Sequence, residues 1–343
     1  MSGIFVRGEG AVSPAGWGVT PMREAIARGE PLPVKELARP GWARPLKVRT
    51  VPPASPSPAF ISHARLRRAS PVSQYAVSAA LEALGAEAGS VTNGGLRLGI
   101  VMCVMSGCVN YSRRFYDETL KNPATASPLV FPETVFNAPA SHLASLLGTP
   151  AINYTLVGDP GTVLQGLALA ADWLQNEVVD GCLVIGAEEM DWLTADAVRM
   201  FTSQAQVSEG AGALYMRREP GPTVSVELKA VTDSYLFCSN QTRAKAAQKA
   251  RAALGLDGAQ HLLCDGLQAV PRIDRDEAAA WRDWPGARIS IKKTLGEGLM
   301  AAAAWQCIAA LDALRQGEFS AASVSVVGCN QQAIAAQFER IAK

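Results

Sequence analysis

The sequence has few histidines, few charged residues, no CxxC pair and no long uninterrupted apolar run. There are three histidines in 343 residues, and charged residues make up 18%. The net charge of +1 argues against a general nucleic-acid or membrane-surface binder. No apolar run reaches the roughly 18 residues that a membrane span requires. Without a CxxC pair, a zinc site is not expected.

The seven cysteines are an odd number, and several lie inside apolar segments, which predicts reduced core thiols. No basic segment followed by an apolar one opens the sequence, so we expect no signal peptide and a cytoplasmic protein. Apolar residues make up 48%, enough to bury a large core. The low charge favours a surface that is partly buried against another subunit.

Predicted strands and helices alternate along the chain, which indicates an α/β fold. Residues 106–138 are predicted to be irregular, and such a long aromatic-bearing insertion is typical of a pocket wall, a lid or an interface. The helices at 163–174 and 300–314 are apolar nearly all round, which is typical of buried helices. The simplest arrangement is two βα halves, residues 1–217 and 218–343, related by pseudo-symmetry.

A strand-turn-helix surrounds Gly158-Asp159-Pro160-Gly161. We expect residues 151–157 to form the central strand and a helix to begin at Pro160. Asp159 is predicted to cap that helix, and Pro160 suits its first position. Many α/β enzymes mount a nucleophile at such a turn, because the helix N-terminus stabilises negative charge. No nucleophile is present here.

Five segments, in the same order, resemble those of the thiolase-fold ketosynthases, the condensing enzymes of fatty-acid and polyketide synthesis. Residues 4–16 (IFVRGEGAVSPAG) are similar to the family's first strand with its GxGxVSPxG turn, and residues 182–189 (CLVIGAEE) to a strand that ends in GGxE. Residues 208–214 (SEGAGAL) are similar to GEGAGAL. Residues 292–302 (KKTLGEGLMAA) are similar to KSxxGHxxGAA, and Gly328-Cys329-Asn330 to part of GFGGxN. The resemblance implies a thiolase-like αβαβα five-layer fold with two pseudo-symmetric halves and two buried central helices.

The family's chemistry uses a cysteine at the elbow, two histidines and a lysine. The elbow motif TACxSG falls on residues 156–161, so the cysteine position is Gly158. The first histidine, in HGTxT, falls on Asp265, and the second, in GH, falls on Glu297. Only the lysine is retained, as Lys292. The resemblance therefore implies a catalytically degenerate member in which no catalytic set is intact.

Ketosynthase-like chains without the cysteine resemble the chain-length factors of type II systems. The resemblance implies a subunit that pairs with an active ketosynthase, as a heterodimer or alternatively a homodimer, and that reaches an acyl carrier protein through its partner. It implies neither a cofactor nor a metal. Type II fatty-acid, polyketide or polyene biosynthesis is the expected context, and an aryl-polyene system suits the compact chain. The candidate substrate or interface residues are Tyr111, Phe115, Tyr116, Phe131 and Phe136.

A different class of function remains open. The chain could be an enzyme with altered chemistry on acyl thioesters, a decarboxylase, acyltransferase or thioesterase that uses Asp265, Glu297 or Cys264. Burial raises the pKa of carboxyl groups and can make them general acids. The simpler interpretation is a buried pair of Lys292 with Glu297 and an inert core thiol at Cys264. A homodimeric acyl-binding protein is a third option.

Overall fold

The computed structural model describes residues 3–221, 224–238, 240–255 and 258–341, with fifteen strands and eleven α-helices in those ranges. The strands are β1 (Phe5–Ser13), β2 (Gly16–Trp17), β3 (Lys35–Leu37), β4 (Leu46–Arg49), β5 (Leu98–Val104), β6 (Ile152–Val157), β7 (Gly181–Glu188), β8 (Val207–Ser208), β9 (Gly210–Arg217), β10 (Ser225–Val231), β11 (Tyr235–Leu236), β12 (His261–Cys264), β13 (Ala287–Ile289), β14 (Ala321–Val327) and β15 (Gln332–Ile341). The helices are α1 (Val19–Arg28), α2 (Pro71–Leu84), α3 (Ala88–Thr92), α4 (Val109–Lys121), α5 (Ala138–Leu147), α6 (Thr162–Gln175), α7 (Trp192–Phe201), α8 (Arg243–Leu254), α9 (Pro271–Ala280), α10 (Lys292–Leu295) and α11 (Met300–Gln316).

The main strands repeat one topology twice. The first half has the spatial order β6-β5-β7-β9-β1, and the second has the order β13-β12-β14-β15-β10. In each half the first three strands of that order are parallel to one another. Each of the last two strands is antiparallel to the strand before it. The two arrays meet where β1 pairs with β10. This repeat is the pseudo-symmetry expected from the sequence, and we propose the boundary between the halves in the connection from β9 to β10.

The layers follow from which helices pack on which strands. Helices α2 and α5 cover the outer face of the first array, and α8 and α9 cover that of the second. Helices α6 and α11 lie between the arrays, so the order of layers is αβαβα. Residues 300–314 of α11 are buried on every side, as the apolar pattern predicts.

Two glycines explain why the central helix can approach the sheet so closely. A Cβ at Gly186 of β7 would lie 2.3 Å from the Met300 carbonyl oxygen, and one at Gly212 of β9 would lie 2.7 Å from the Ala304 Cβ. Any larger residue would push α11 away from the strands. The glycines of the CLVIGAEE and SEGAGAL segments are therefore packing requirements of the fold.

Strand β6 was expected to be central, and that prediction is wrong. It pairs with β5 on one side only and forms the edge of the first array. Its side chains are correspondingly open, with Ile152 42% exposed and Tyr154 and Val157 each 54% exposed. An apolar run of six residues fits a buried parallel strand and a partner-covered edge equally well.

The segment 106–138 was predicted to be irregular, but much of it is helical. Helix α4 spans thirteen residues of it, and short 3₁₀ turns follow at Pro123–Thr125 and Phe131–Glu133. Within the described parts of the chain, no helix is long and apolar enough to cross a membrane.

Candidate functional site

The elbow between β6 and α6 has no room for a side chain at its first position. Strand β6 ends at Val157, and the N–H of Gly158 donates to the Val104 carbonyl oxygen at 3.4 Å. A Cβ built on Gly158 would lie 2.5 Å from Oγ1 of Thr162. The Thr162 hydroxyl therefore occupies the space next to Gly158, the position to which the sequence resemblance assigns the family's cysteine.

The predicted helix cap by Asp159 is wrong. Helix α6 begins at Thr162, and no side chain caps its first turn. The buried carboxylate of Asp159 instead accepts hydrogen bonds from the N–H groups of Gln331 and Gln332, each at 3.2 Å. Burial raises the pKa of Asp159, and the two hydrogen bonds, which lower the pKa, offset only part of that effect. Asp159 thus ties the elbow of the first half to the turn before β15 of the second half.

Lys292 and Glu297 form a buried ion pair, as the simpler interpretation of the sequence predicted. Nζ of Lys292 lies 2.7 Å from Oε2 of Glu297, which also accepts from Nε2 of Gln268 at 2.9 Å. The other oxygen, Oε1, accepts from the N–H of Leu299 at 2.9 Å. Burial opposes the charge on Lys292, but the attraction of Glu297 outweighs it and raises the lysine pKa. The Glu297 carboxylate is therefore engaged on both oxygens.

The backbone around Glu297 has an unusual shape that its carboxylate helps to hold. Gly296 has a φ of 96°, a conformation that favours glycine. Leu299 has a φ of 51°, which is rare for a bulky residue. The bond from its N–H to Glu297 stabilises this conformation at the start of α11.

Asp265 lies apart from that ion pair and next to a second buried acid. Its Oδ1 accepts from Oγ of Ser290 at 2.6 Å and from the N–H of Leu267 at 3.2 Å. Its Oδ2 has no hydrogen-bond partner among the described residues. That acid, Glu277, accepts a hydrogen bond from the Ser325 hydroxyl at 2.7 Å. Its burial, and to a smaller extent its repulsion by Asp265, raises its pKa to about 7. Burial raises the pKa of Asp265 as well.

The acids Asp159, Asp265 and Glu297 therefore do not form a single cluster. Asp159 and Glu297 both act electrostatically on Cys329, whose Sγ lies 3.7 Å from Oδ1 of Asp159. Asp265 instead accepts a hydrogen bond from Ser290, and the cations that lower its pKa are Arg288 and Lys293. The site divides into a closed polar cluster around Lys292 and a more open one around Asp265.

Three buried glutamates were missed by the sequence reasoning. Glu188, Glu189 and Glu209 each accept hydrogen bonds from backbone N–H groups, which lie in loops for Glu188 and Glu209 and in the first turns of α2 and α4 for Glu189. The donors are Met105 and Ser106 for Glu188, Val72 and Asn110 for Glu189, and Val51 and Met190 for Glu209. Burial raises the pKa of all three, to about 8 for Glu188. Their signal lies in the CLVIGAEE and SEGAGAL segments, which were used only to identify the fold.

Neither cysteine near the site is an activated nucleophile. Cys264 is fully buried, and burial raises its pKa well above the ordinary value. Burial and the carboxylate of Asp159 raise the pKa of Cys329 to about 12. A thiol rather than a thiolate is therefore present at both positions near neutral pH. Within the described ranges, no group of three or more histidine, cysteine or acidic side chains is arranged to hold a metal ion.

The aromatic candidates lie on and after α4 as an exposed, partly stacked group. Phe115 and Phe131 pack with ring centroids 5.3 Å apart, and the Tyr111 hydroxyl donates to the Arg68 carbonyl oxygen. The exposed members are Tyr116, Phe131 and Phe136. His142, the histidine nearest to this group in sequence, is buried against Glu133, with its Nε2 2.9 Å from the carboxylate.

Glu277→Gln is expected to stabilise the protein at high pH. An acid whose pKa is raised by folding binds its proton more tightly in the native state, so stability falls as pH rises from about 4.5 to 7. Glutamine keeps an oxygen for Ser325 and Gly266 but carries no charge. We expect the variant to be about 1–3 kcal/mol more stable than the parent at about pH 8 and equal to it below about pH 4.5. Urea unfolding across this pH range measures the difference.

Glu318→Gln is the control for that experiment, because it removes an exposed carboxylate. It should shift stability by less than about 0.5 kcal/mol at every pH. A destabilisation that grows as pH rises would contradict the prediction, because it would mean that folding lowers the pKa of Glu277 and that Lys292 stabilises its ionised form.

No protein-family model matches the sequence, and no curated protein matches it. Solved structures match over nearly the whole chain. One described as the ishigamide ketosynthase/chain length factor has a TM-score of 0.82 at 19% identity, covering 99% of this chain and 100% of that one. A structure of a type II polyketide synthase acyl carrier protein in complex with its ketosynthase has a TM-score of 0.79 at 18% sequence identity, and the match covers 99% of this chain and 100% of that one. A β-ketoacyl synthase from Burkholderia phymatum gives 0.79 at 16%, with both chains covered completely.

These similarities define the class of the fold. The chain has the thiolase-like αβαβα fold of the β-ketoacyl synthases, as the five sequence segments predicted. The same fold serves many chemistries, so function has to be argued from the site.

Proposed function

We propose that this chain is a catalytically degenerate ketosynthase-like subunit of the chain-length-factor type. It pairs with an active β-ketoacyl synthase in type II fatty-acid, polyketide or polyene biosynthesis. The observation that carries the proposal is the elbow, where Gly158 stands at the cysteine position and Oγ1 of Thr162 would lie 2.5 Å from an added Cβ. A glycine cannot form a thioester, so the nucleophile has to come from a partner.

The two carboxylates support the same conclusion. Neutral imidazoles at these positions would donate hydrogen bonds to a developing enolate oxygen, whereas an ionised carboxylate only accepts and repels it. Both oxygens of Glu297 are already engaged, by Lys292 and Gln268 on one side and Leu299 on the other. Asp265 is turned toward Ser290. The loss of three members of the set removes condensation by this chain alone.

The edge strand β6 supports pairing with another subunit. No strand among the described residues pairs with its outer side, and Ile152, Tyr154 and Val157 are exposed along it. An open apolar edge of this kind is a liability in a monomer, and proteins normally cover it. The exposed Phe131 and Phe136 lie in the candidate interface segment and add apolar surface.

The similar structures inform the choice of partner by analogy. One is described as a ketosynthase/chain length factor and another as an acyl carrier protein in complex with its ketosynthase. We prefer a heterodimer with an active ketosynthase, because a pair of identical chains would contain no elbow nucleophile. An acyl carrier protein is then reached through the partner.

Altered chemistry on acyl thioesters is the second candidate, and one observation favours it. Asp265 carries an unpartnered buried carboxyl oxygen, and burial raises its pKa, as a general acid requires. A nucleophilic role for Cys264 is not supported, because its thiol is fully buried with a raised pKa.

Gly158→Cys combined with Thr162→Ala tests the proposal. The alanine removes the hydroxyl that would contact the new Cβ, so the cysteine can adopt an unstrained position. We expect the thiol to react with iodoacetamide but to give no condensation product, at least about 1,000-fold below an active ketosynthase, because the carboxylates at 265 and 297 remain. Mass spectrometry of the product and of the protein reports both outcomes.

The unmodified chain is the control for acyl transfer. Incubated with malonyl- and acyl-loaded carrier proteins, it should acquire no acyl adduct. Condensation by the double variant would show that the acids are not the obstacle, and an acyl adduct on the unmodified chain would favour the altered-chemistry alternative.

A further inference from the structure

A groove of about 590 Å³ runs between α1, α11 and the segment from β13 to α10. Its walls are apolar along both helices, with Met22 and Ile26 on α1 and Ala309 and Ala313 on α11. A cavity of this size matches those that hold small organic ligands. It lies away from the closed Lys292–Glu297 cluster, and neither residue of that pair lines it.

One end of the groove is polar. Asp265 and Ser290 line it there, together with the exposed side chains of Arg288 and Lys293. Asp265 is only 1% exposed, yet its Oδ2 has no hydrogen-bond partner among the described residues. A buried carboxyl oxygen without a partner costs free energy, and a ligand that donates a hydrogen bond would satisfy it.

The charges at this end restrict the donor. Neither Arg288 nor Lys293 forms an ion pair with a described residue, and both act electrostatically on Asp265. An ammonium group would lie beside these two cations and be repelled. A neutral hydroxyl is therefore the better donor to Asp265, and a carboxylate next to it would pair with the two cations. The remaining charged residues of the lining are Arg23 and Asp312, which are joined by two hydrogen bonds, and the exposed Glu318.

The apolar wall sets the length of the remaining part of the ligand. Nε2 of Gln306 reaches the Cys264 carbonyl oxygen, which places this turn of α11 beside the Asp265 end of the groove. The lining then continues from Ala309 to Gln316, a rise of about 10 Å at 1.5 Å per residue. An extended alkyl chain of about eight carbons covers that distance.

We propose that the groove binds a medium-chain 3-hydroxy carboxylic acid, with its hydroxyl on Asp265, its carboxylate beside Arg288 and Lys293, and its alkyl chain between α1 and α11. The site belongs to this chain alone and does not depend on the proposed pairing with a ketosynthase. The hydroxyl must be close to the carboxylate, because Asp265 and both cations lie at the same end.

Isothermal titration of the full chain with three probes tests the assignment. We expect 3-hydroxydecanoate to bind at one site per chain and about tenfold or more tighter than decanoate, since a hydrogen bond to a charged group is involved. We expect 10-hydroxydecanoate to bind less tightly than 3-hydroxydecanoate, because its hydroxyl lies far from Asp265, near Gln316 and Glu318. Equal affinity for all three acids, or no binding of 3-hydroxydecanoate, overturns the proposal.

Variants locate the binding. Asp265→Ala should remove the preference for 3-hydroxydecanoate over decanoate. Ala27→Phe fills the groove from the exposed penultimate position of α1 and should weaken 3-hydroxydecanoate at least about tenfold. Ala253→Phe is the matched control, since it is also exposed and penultimate in α8, and it should leave affinity unchanged. If Asp265→Ala does not fold, the comparison of Ala27→Phe with Ala253→Phe tests the assignment. Equal affinity of these two variants for 3-hydroxydecanoate contradicts it.

Discussion

Lys292→Met is expected to lower the free energy of unfolding by about 3–5 kcal/mol, the largest effect of a single substitution at this site. The methionine removes the cation that is bonded to the buried Glu297 carboxylate, and no other cation in the described ranges forms an ion pair with it. Gln268 and the N–H of Leu299 still donate to it, but neutral donors offset only part of the desolvation. Equilibrium unfolding in urea at about pH 7 measures the loss.

Two controls separate the broken pair from a general effect of losing a lysine. Lys293→Met changes the next residue, which is exposed, and should cost less than about 0.5 kcal/mol. Lys292→Met with Glu297→Gln removes both charges and should recover at least about half of the loss, because no uncompensated charge remains buried. A single variant that is no less stable than the Lys293→Met control would mean that the pair contributes nothing to the fold.

The sequence predicts much of the fold, because its strongest signals are local. Helix α2 begins at Pro71, directly after Ser70, and ends at Leu84, directly before Gly85, and these neighbours are local start and stop signals. Helix α11 is identified as buried by its alanine-rich, largely apolar run. The five family-like segments then order these elements, and the structural similarities confirm the resulting fold.

The errors concern contacts between residues that are far apart in the chain. Asp159 before Pro160 has the pattern of a helix cap, yet its carboxylate bonds Gln331 and Gln332, which lie more than 170 positions away. No local pattern distinguishes these two roles. The edge position of β6 is likewise a property of strand order, which an apolar run does not encode.

The resemblance assigns a glycine to the cysteine position and acids to the histidine positions, and that assignment stays a prediction. It does not show that Thr162 fills the space beside Gly158, or that Asp265 lines a groove with α1. The first fact depends on side-chain packing within the elbow, and the second on contacts between elements of the two halves. No local sequence pattern encodes either of them.

Ile152→Lys with Val157→Lys is expected to weaken association with the partner subunit at least about 100-fold, if the edge of β6 is the pairing surface as proposed. Each substitution would bury an ammonium group where the complex buries an apolar side chain, a loss of at least about 1.5 kcal/mol per position. About 3 kcal/mol in total corresponds to more than a hundredfold in affinity. Sedimentation velocity of the chain, alone and co-expressed with an active ketosynthase, reports the assembly state.

The matched control replaces two exposed apolar residues elsewhere, Val34 and Leu236, with lysine. Leu236 also lies on a strand with an open edge, β11, so the control tests whether any apolar edge has the same effect. It should leave the assembly intact. Because Ile152 and Val157 are already 42% and 54% exposed in the isolated chain, their lysine variants should keep its thermal stability. Intact assembly in the β6 variant would place the partner on another surface, and a monomeric parent chain that binds no ketosynthase would remove the subunit role altogether.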